Sequence, residues 1–136
     1  MTDTSEERHG GCLCGAVRYT VRGEPTSTGN CHCRSCQRAT GAGFVTWVGA
    51  KPENFEVTKG QVTICETSPG ARRGFCGRCG SSLNMTADGF TDVAFIAVSF
   101  DDPSFVQPAA NVFLDYQQPW VVIDESLKSY AGLPGH

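Results

Sequence analysis

Seven of the eight cysteines fall into three short groups: Cys12 and Cys14; Cys31, Cys33 and Cys36; Cys76 and Cys79. They read C-x-C, C-x-C-x-x-C and C-x-x-C, spacings that let neighbouring thiolates grip one metal ion. Zinc suits such groups. Four thiolates close a tetrahedral structural site, and three leave a position open for water or substrate. Seven divides into one of each. That arithmetic points to one metal that holds the fold and another that could do chemistry.

Cys12-Leu13-Cys14 and Cys76-Gly77-Arg78-Cys79 are both chelating loops, with glycines at 10, 11, 15, 77 and 80 that let backbone N–H groups approach the sulfurs. One zinc shared between them would staple the first strand to a late hairpin and restrain the unfolded chain.

Cys31-His32-Cys33-Arg34-Ser35-Cys36 offers three sulfurs from a single turn. Its fourth ligand is open. His32 lies between two ligands and should point away from the metal, where it could touch substrate. Cys65 is the other protein candidate, and its alternation with Val62 and Ile64 reads as a small buried residue on a strand. Failing both, water or a substrate thiol completes the site. Zinc holds thiols as thiolates at neutral pH, and a thiolate can add to a small carbonyl compound. A second structural zinc satisfies the same spacing.

Arg72, Arg73 and Arg78 are the densest basic cluster, either a solvated turn or a clamp for a carboxylate. Arg38 and Arg73 are the candidate carboxylate partners. Trp47 reads as core or pocket wall, and Phe44 and Trp120 as core. Asp101-Asp102-Pro103 reads as a turn with solvated acids. No phosphate-cradling glycine loop, nucleophile elbow or H-E-x-x-H helix is present.

The elements that must position these residues are mostly short strands. Val17–Arg22 alternates apolar and polar residues. Arg34–Thr40 suits one or two helical turns ended by Gly41. Phe44–Val48, Phe55 and Val57, Val62 and Ile64, Ser82–Thr86, Val112–Leu114 and Val121–Ile123 are further strand candidates. Turns fall at Lys59-Gly60 and Ser68-Pro69-Gly70. Val93–Phe100 is the longest apolar run and the clearest strand. The expectation is residues 1–9 as a flexible leader, 10–130 as one mainly β zinc-binding domain, and 131–136 as a peripheral tail.

At 136 residues, such a domain buries roughly two-thirds of the surface its unfolded chain exposes, so metal is not a substitute for a missing core. A formal net charge of −3 without a basic stripe argues against non-specific nucleic-acid binding. No run approaches the ~20 apolar residues of a membrane span. The opening Met1–Arg8 is polar, without an apolar signal core. A cytoplasmic protein is expected, in which cysteines serve metals rather than disulfides. Oligomeric state has no signature here.

The chain resembles the glutathione-dependent formaldehyde-activating (GFA) family. The resemblance rests on GGCLCGAVRY (residues 10–19), CHCRSCQRATGAGF (31–44), SPGARRGFCGRCGSSL (68–83), FDDP (100–103) and PW (119–120). It implies an Mss4-like β-tent of twisted antiparallel sheets tied by zinc, with at most short helical turns. It implies two zincs per chain: a structural one on Cys12, Cys14, Cys76 and Cys79, and an active-site one on Cys31, Cys33 and Cys36. The implied activity is that of a carbon–sulfur lyase that joins a small thiol such as glutathione to formaldehyde, or cleaves the adduct. Two positions depart from the family pattern. Gln37 follows the third cysteine of the triple where members often carry Arg, with Arg38 next. Asn111 stands near a position where many carry His, and an amide cannot transfer protons as imidazole does.

The leading expectation is therefore a GFA-type lyase, with His32, Arg38, Trp47 and Arg73 as candidate substrate contacts. A binding module with two structural zincs is the alternative from another class. A methionine sulfoxide reductase type of enzyme needs a reactive cysteine outside the metal sites, and only Cys65 is spare.

Overall fold

Residues 6–134 are described by a computed structural model. The strands in chain order are β1 (Glu7–Gly11), β2 (Arg18–Arg22), β3 (Ser27–Cys31), β4 (Val45–Ala50), β5 (Phe55–Lys59), β6 (Thr63–Ser68), β7 (Ala71–Phe75), β8 (Ser82–Ala87), β9 (Val93–Ile96), β10 (Ala110–Val112) and β11 (Lys128–Ser129). Helix α1 (Arg34–Thr40) lies between β3 and β4. Two sheets result, a small one ordered β1-β2-β5 and a large one ordered β11-β10-β3-β4-β9-β8-β7-β6. Pairing is antiparallel except at β10, which runs parallel to both β3 and β11. The mainly β fold thus has one short helix, and its large sheet is mixed. No helix among the described residues is long and apolar enough to cross a membrane.

The alternation in β2 seats Tyr19 and Val21 in the core. Tyr19 stacks on Phe95 of β9 at 5.1 Å, and Phe55 meets Phe95 edge-on at 4.9 Å. Phe100 approaches Tyr19 edge-on at 5.5 Å. This aromatic cluster joins the small sheet to the large one, and each buried ring contributes roughly 2–3 kcal/mol through loss of apolar surface to water.

Several expectations give way to tertiary effects. Residues 7–9, expected in a leader, are instead part of a strand. Residues 7–9 pair with 20–22 in β1, supported by His9 Nδ1 at 2.8 Å from Thr20 Oγ1 and by the Arg22–Glu7 ion pair. Charged side chains hide this edge strand from an apolar pattern. Residues 1–5, and 135–136 of the tail, lie outside the described residues. At 131–132 the tail is tied in, because Ala131 and Gly132 accept backbone bonds from Asp115 and Phe113.

The run from Val93 leaves β structure at Ile96 and takes one 3₁₀ turn over Ala97–Ser99. Ser99 Oγ donates to Ile96 O at 2.7 Å and meets Tyr19 Oη at 2.5 Å. That turn swings Phe100 back into the core. Val121–Ile123 forms no strand, and Val122 is exposed. β10 ends at Val112 because Phe113 takes a left-handed backbone (φ 58°) into the 3₁₀ turn Leu114–Tyr116. Trp120 is exposed rather than core. The Lys59-Gly60 turn separates two sheets, since β5 pairs with β2 while β6 is an edge of the large sheet. Cys65 lies exposed on that edge, not buried.

Candidate metal centres

Cys12 and Cys14 follow β1, and Cys76 and Cys79 fill the turn between β7 and β8. The four sulfurs lie within 4.8 Å of one another. Cys12 and Cys14 are 3.6 Å apart, and Cys14 and Cys76 are 3.8 Å apart. A tetrahedron of thiolates at zinc–sulfur bonding distance has edges of about 3.8 Å, so the donor set fits such an ion. Backbone N–H groups point at the sulfurs, from Val17 to Cys12 Sγ at 3.2 Å and from Arg78 to Cys76 Sγ at 3.4 Å. Ser81 was not foreseen. Its hydroxyl lies 3.1 Å from Cys79 Sγ and accepts the Leu13 N–H at 2.9 Å, bridging the two loops. The Ser81 hydroxyl and N–H lower the Cys79 thiol to about 5. A serine two residues past a C-x-x-C pair is the signal that could have suggested it.

The second group is built by a strand end and a helix start. Cys31 closes β3. Cys33 is the N-cap of α1, with φ −64° and ψ 151°, and its Sγ accepts the Cys36 N–H at 3.3 Å. Sulfur here does what a Ser or Asp oxygen does at other helix starts. Gly41 ends the helix in the left-handed region at φ 70°, where a side chain would be strained, and its N–H returns to Gln37 O at 2.8 Å. Cys31 and Cys36 are buried and Cys33 is half-exposed. Their three sulfurs also lie within 4.8 Å of one another.

Among the described residues no further His, Cys, Asp or Glu joins this triple. Contacts with the Cys31 and Cys36 thiols hold Cys33 well below the ordinary thiol range. The same contact with Cys33 pushes Cys31 up. A divalent cation held by the three sulfurs would favour their thiolate forms.

His32 is enclosed. It is 1% exposed, its ring stacks on Phe44 at 5.1 Å, and neither ring nitrogen has a hydrogen-bond partner. Burial lowers its pKa and keeps the ring neutral. Among the described residues its ring does not join the group of three sulfurs, and burial shields it from solvent. Arg73 reaches the triple, with Nη2 at 3.7 Å from Cys36 Sγ. Trp47 packs against the same cluster. Arg38 instead borders a separate cleft with Arg34, Gln37, Gln118 and Trp120.

Gln37 and Asn111 are structural pins. Gln37 Nε2 donates to His32 O at 2.6 Å and to Tyr116 O at 3.0 Å, while Oε1 accepts from Arg34 at 2.5 Å and Gln118 at 3.0 Å. Asn111 is buried, accepts from Asn30 at 3.2 Å and donates to Asp124 O at 3.0 Å.

The family model for the glutathione-dependent formaldehyde-activating enzyme matches residues 7–116. The chain belongs to the GFA family. A protein from Halomonas elongata named "Putative glutathione-dependent formaldehyde-activating enzyme" is 29% identical over 139 residues, spanning 92% of this chain and 87% of its own. A crystal structure of a Rhodobacter sphaeroides protein superposes with a TM-score of 0.58 at 23% identity, covering 74% of this chain and 91% of that one. That likeness concerns the fold. In this chain the seven clustered cysteines separate in space into a group of four and a group of three.

Proposed function

We propose that this protein is a carbon–sulfur lyase of the GFA type, acting on the adduct of a small thiol such as glutathione and formaldehyde or a related aldehyde. One observation carries the reading: three sulfurs converge at Cys31, Cys33 and Cys36 with no fourth protein donor among the described residues. Zinc is the metal that best suits both thiolate groups. At the triple it would supply a cation that keeps a thiol ionised at neutral pH.

In the forward direction the thiol sulfur attacks the carbonyl carbon. A carbon–sulfur bond forms, the carbonyl π pair moves to oxygen, and the thiol's proton ends on that oxygen. The reverse step returns both reactants. The chain's own groups hold the geometry. Cys33 and Cys36 are fixed by the first turn of α1, and Arg73 places positive charge against Cys36.

The test is metal content per chain combined with glutathione titration, followed by exchange of ¹³C-formaldehyde into the adduct. Two zincs, glutathione binding that Cys31→Ser abolishes, and accelerated exchange support the reading. Two zincs with neither binding nor faster exchange would leave a protein whose metals are purely structural.

A further inference from the structure

Four half-buried arginines, Arg8, Arg18, Arg22 and Arg72, each pair with a carboxylate. Arg73 is also half-buried, yet among the described residues no carboxylate pairs with it. A guanidinium offers five N–H donors in a planar fork that matches a carboxylate. Among the described residues the Arg73 side chain hydrogen-bonds only Cys36 Sγ, so most of those donors are uncommitted.

Strand register shows what surrounds it. Arg73 faces Met85 on β8, Met85 faces Ala94 on β9, and Ile96, two residues on, faces Trp47 of β4. Paired residues share a sheet face, so Arg73, Ile96 and Trp47 point to one side. That side also carries the triple, since Ile96 and Trp47 pack against Cys31 and Cys36. On that side lies a cavity of about 170 Å³, bordered by Trp47, Arg73, Ile96, Thr40 and Ser82; the three cysteines do not line it, but Trp47, Arg73 and Ile96 each touch both the cavity and the cysteine cluster. This is close to the size that admits one benzene ring. Formaldehyde would need neither the space nor the charge.

We propose that this cavity binds a small carboxylate, its anionic end on Arg73 and its carbon skeleton against Trp47 and Ile96, beside the cysteine triple. Under the proposed thiol–carbonyl chemistry, on which this part rests, one reactant carries a carboxylate a few bonds from the reacting atom. It is either a mercapto acid or an oxo acid. Addition of either kind balances as above, with one C–S bond formed and the thiol proton passed to oxygen.

Trp120→Phe leaves Trp47 as the sole tryptophan, because the chain has two. Its emission is followed while the purified protein is titrated with mercaptoacetate, glyoxylate, and the neutral counterparts 2-mercaptoethanol and glycolaldehyde. A charge-assisted contact predicts saturable binding about tenfold or more tighter for at least one carboxylate than for its counterpart. The tighter of the two acids identifies which reactant carries the group. Arg73→Gln should erase the preference. Arg73→Lys should retain it at reduced strength, and it covers a fold failure in the Gln variant. Equal binding of neutral and anionic probes, or a preference that survives Arg73→Gln, overturns the proposal. Adduct exchange without carboxylate preference removes this inference alone. Carboxylate binding without exchange removes the lyase reading and leaves this site standing.

Discussion

Arg73 Nη2 lies 3.7 Å from Cys36 Sγ, although β4, β9 and β8 separate the strand of Arg73 from β3, whose end leads into the helix of Cys36. The contact spans the face of the large sheet. It ties the charge of one edge hairpin to the thiols at the start of α1, and this shared face makes the triple differ from the group of four.

The two cysteine groups should respond differently to loss of one ligand. Cys12→Ser or Cys76→Ser opens a crosslink between distant parts of the chain. Restraint of a loop this long contributes ~4 kcal/mol, before any loss of metal affinity. Thermal melting with metal analysis should show such variants unfolded or severely weakened. Cys33→Ser should lose one metal and remain folded. Equal collapse of both kinds of variant would make the triple a structural site.

His32 is predicted to act through packing alone. Both ring nitrogens lack partners, so Phe can replace the ring without stranding a hydrogen bond. His32→Phe should unfold within ~1 kcal/mol of the parent and keep its metal. His32→Ala should cost ~3 kcal/mol through the cavity it leaves against Phe44. A metal-free His32→Phe protein would show that a ring nitrogen matters.

Gln37 should tolerate neither shortening nor charge. Its amide makes four hydrogen bonds, two accepted and two donated. Gln37→Ala should cost ~2–4 kcal/mol in denaturant unfolding. Gln37→Arg should be no better, because Arg has no acceptor for Arg34 or Gln118 and adds a buried charge beside Arg34. A Gln37→Arg protein as stable as the parent would contradict this network.

Asp101 should give a small acid dependence. The Arg18 guanidinium, bonded through both nitrogens, holds its carboxyl below the usual range. A lowered folded pKa stabilises the fold above the unfolded value of about 4, and that contribution is lost as pH falls through the folded value. Both groups are more than a third solvent-facing or nearly so, and screening limits the effect to under ~1 kcal/mol. Asp101→Asn should therefore be slightly less stable than the parent near pH 6, with the difference closing as pH falls through the lowered folded value. Comparing the two cancels the acid loss of metal that both share. A gap that widens in acid would refute the assignment.

The motifs and elements legible in the chain were those governed by local rules. Cysteine spacing needs only short-range geometry, and the helix Arg34–Thr40 with its stop at Gly41 follows from neighbouring residues. Strand β2 shows its alternation directly. Where partners far along the chain decide, sequence pattern fell short. β1 is a strand because β2 offers a ladder to charged residues. The run from Val93 breaks at Ile96 because Ser99 and Phe100 find partners around Tyr19. Trp120 and Cys65 have apolar character but no neighbouring surface to cover them.

The sequence by itself determined which residue types could hold metal, since chelation by C-x-C and C-x-x-C is a property of a few bonded neighbours. Only the tertiary structure decided which arginine meets the triple, that His32 is sealed away, and that Gln37 is a pin. Those outcomes depend on strand register and on which buried polar group finds a partner, and both are set by contacts between residues distant in the chain.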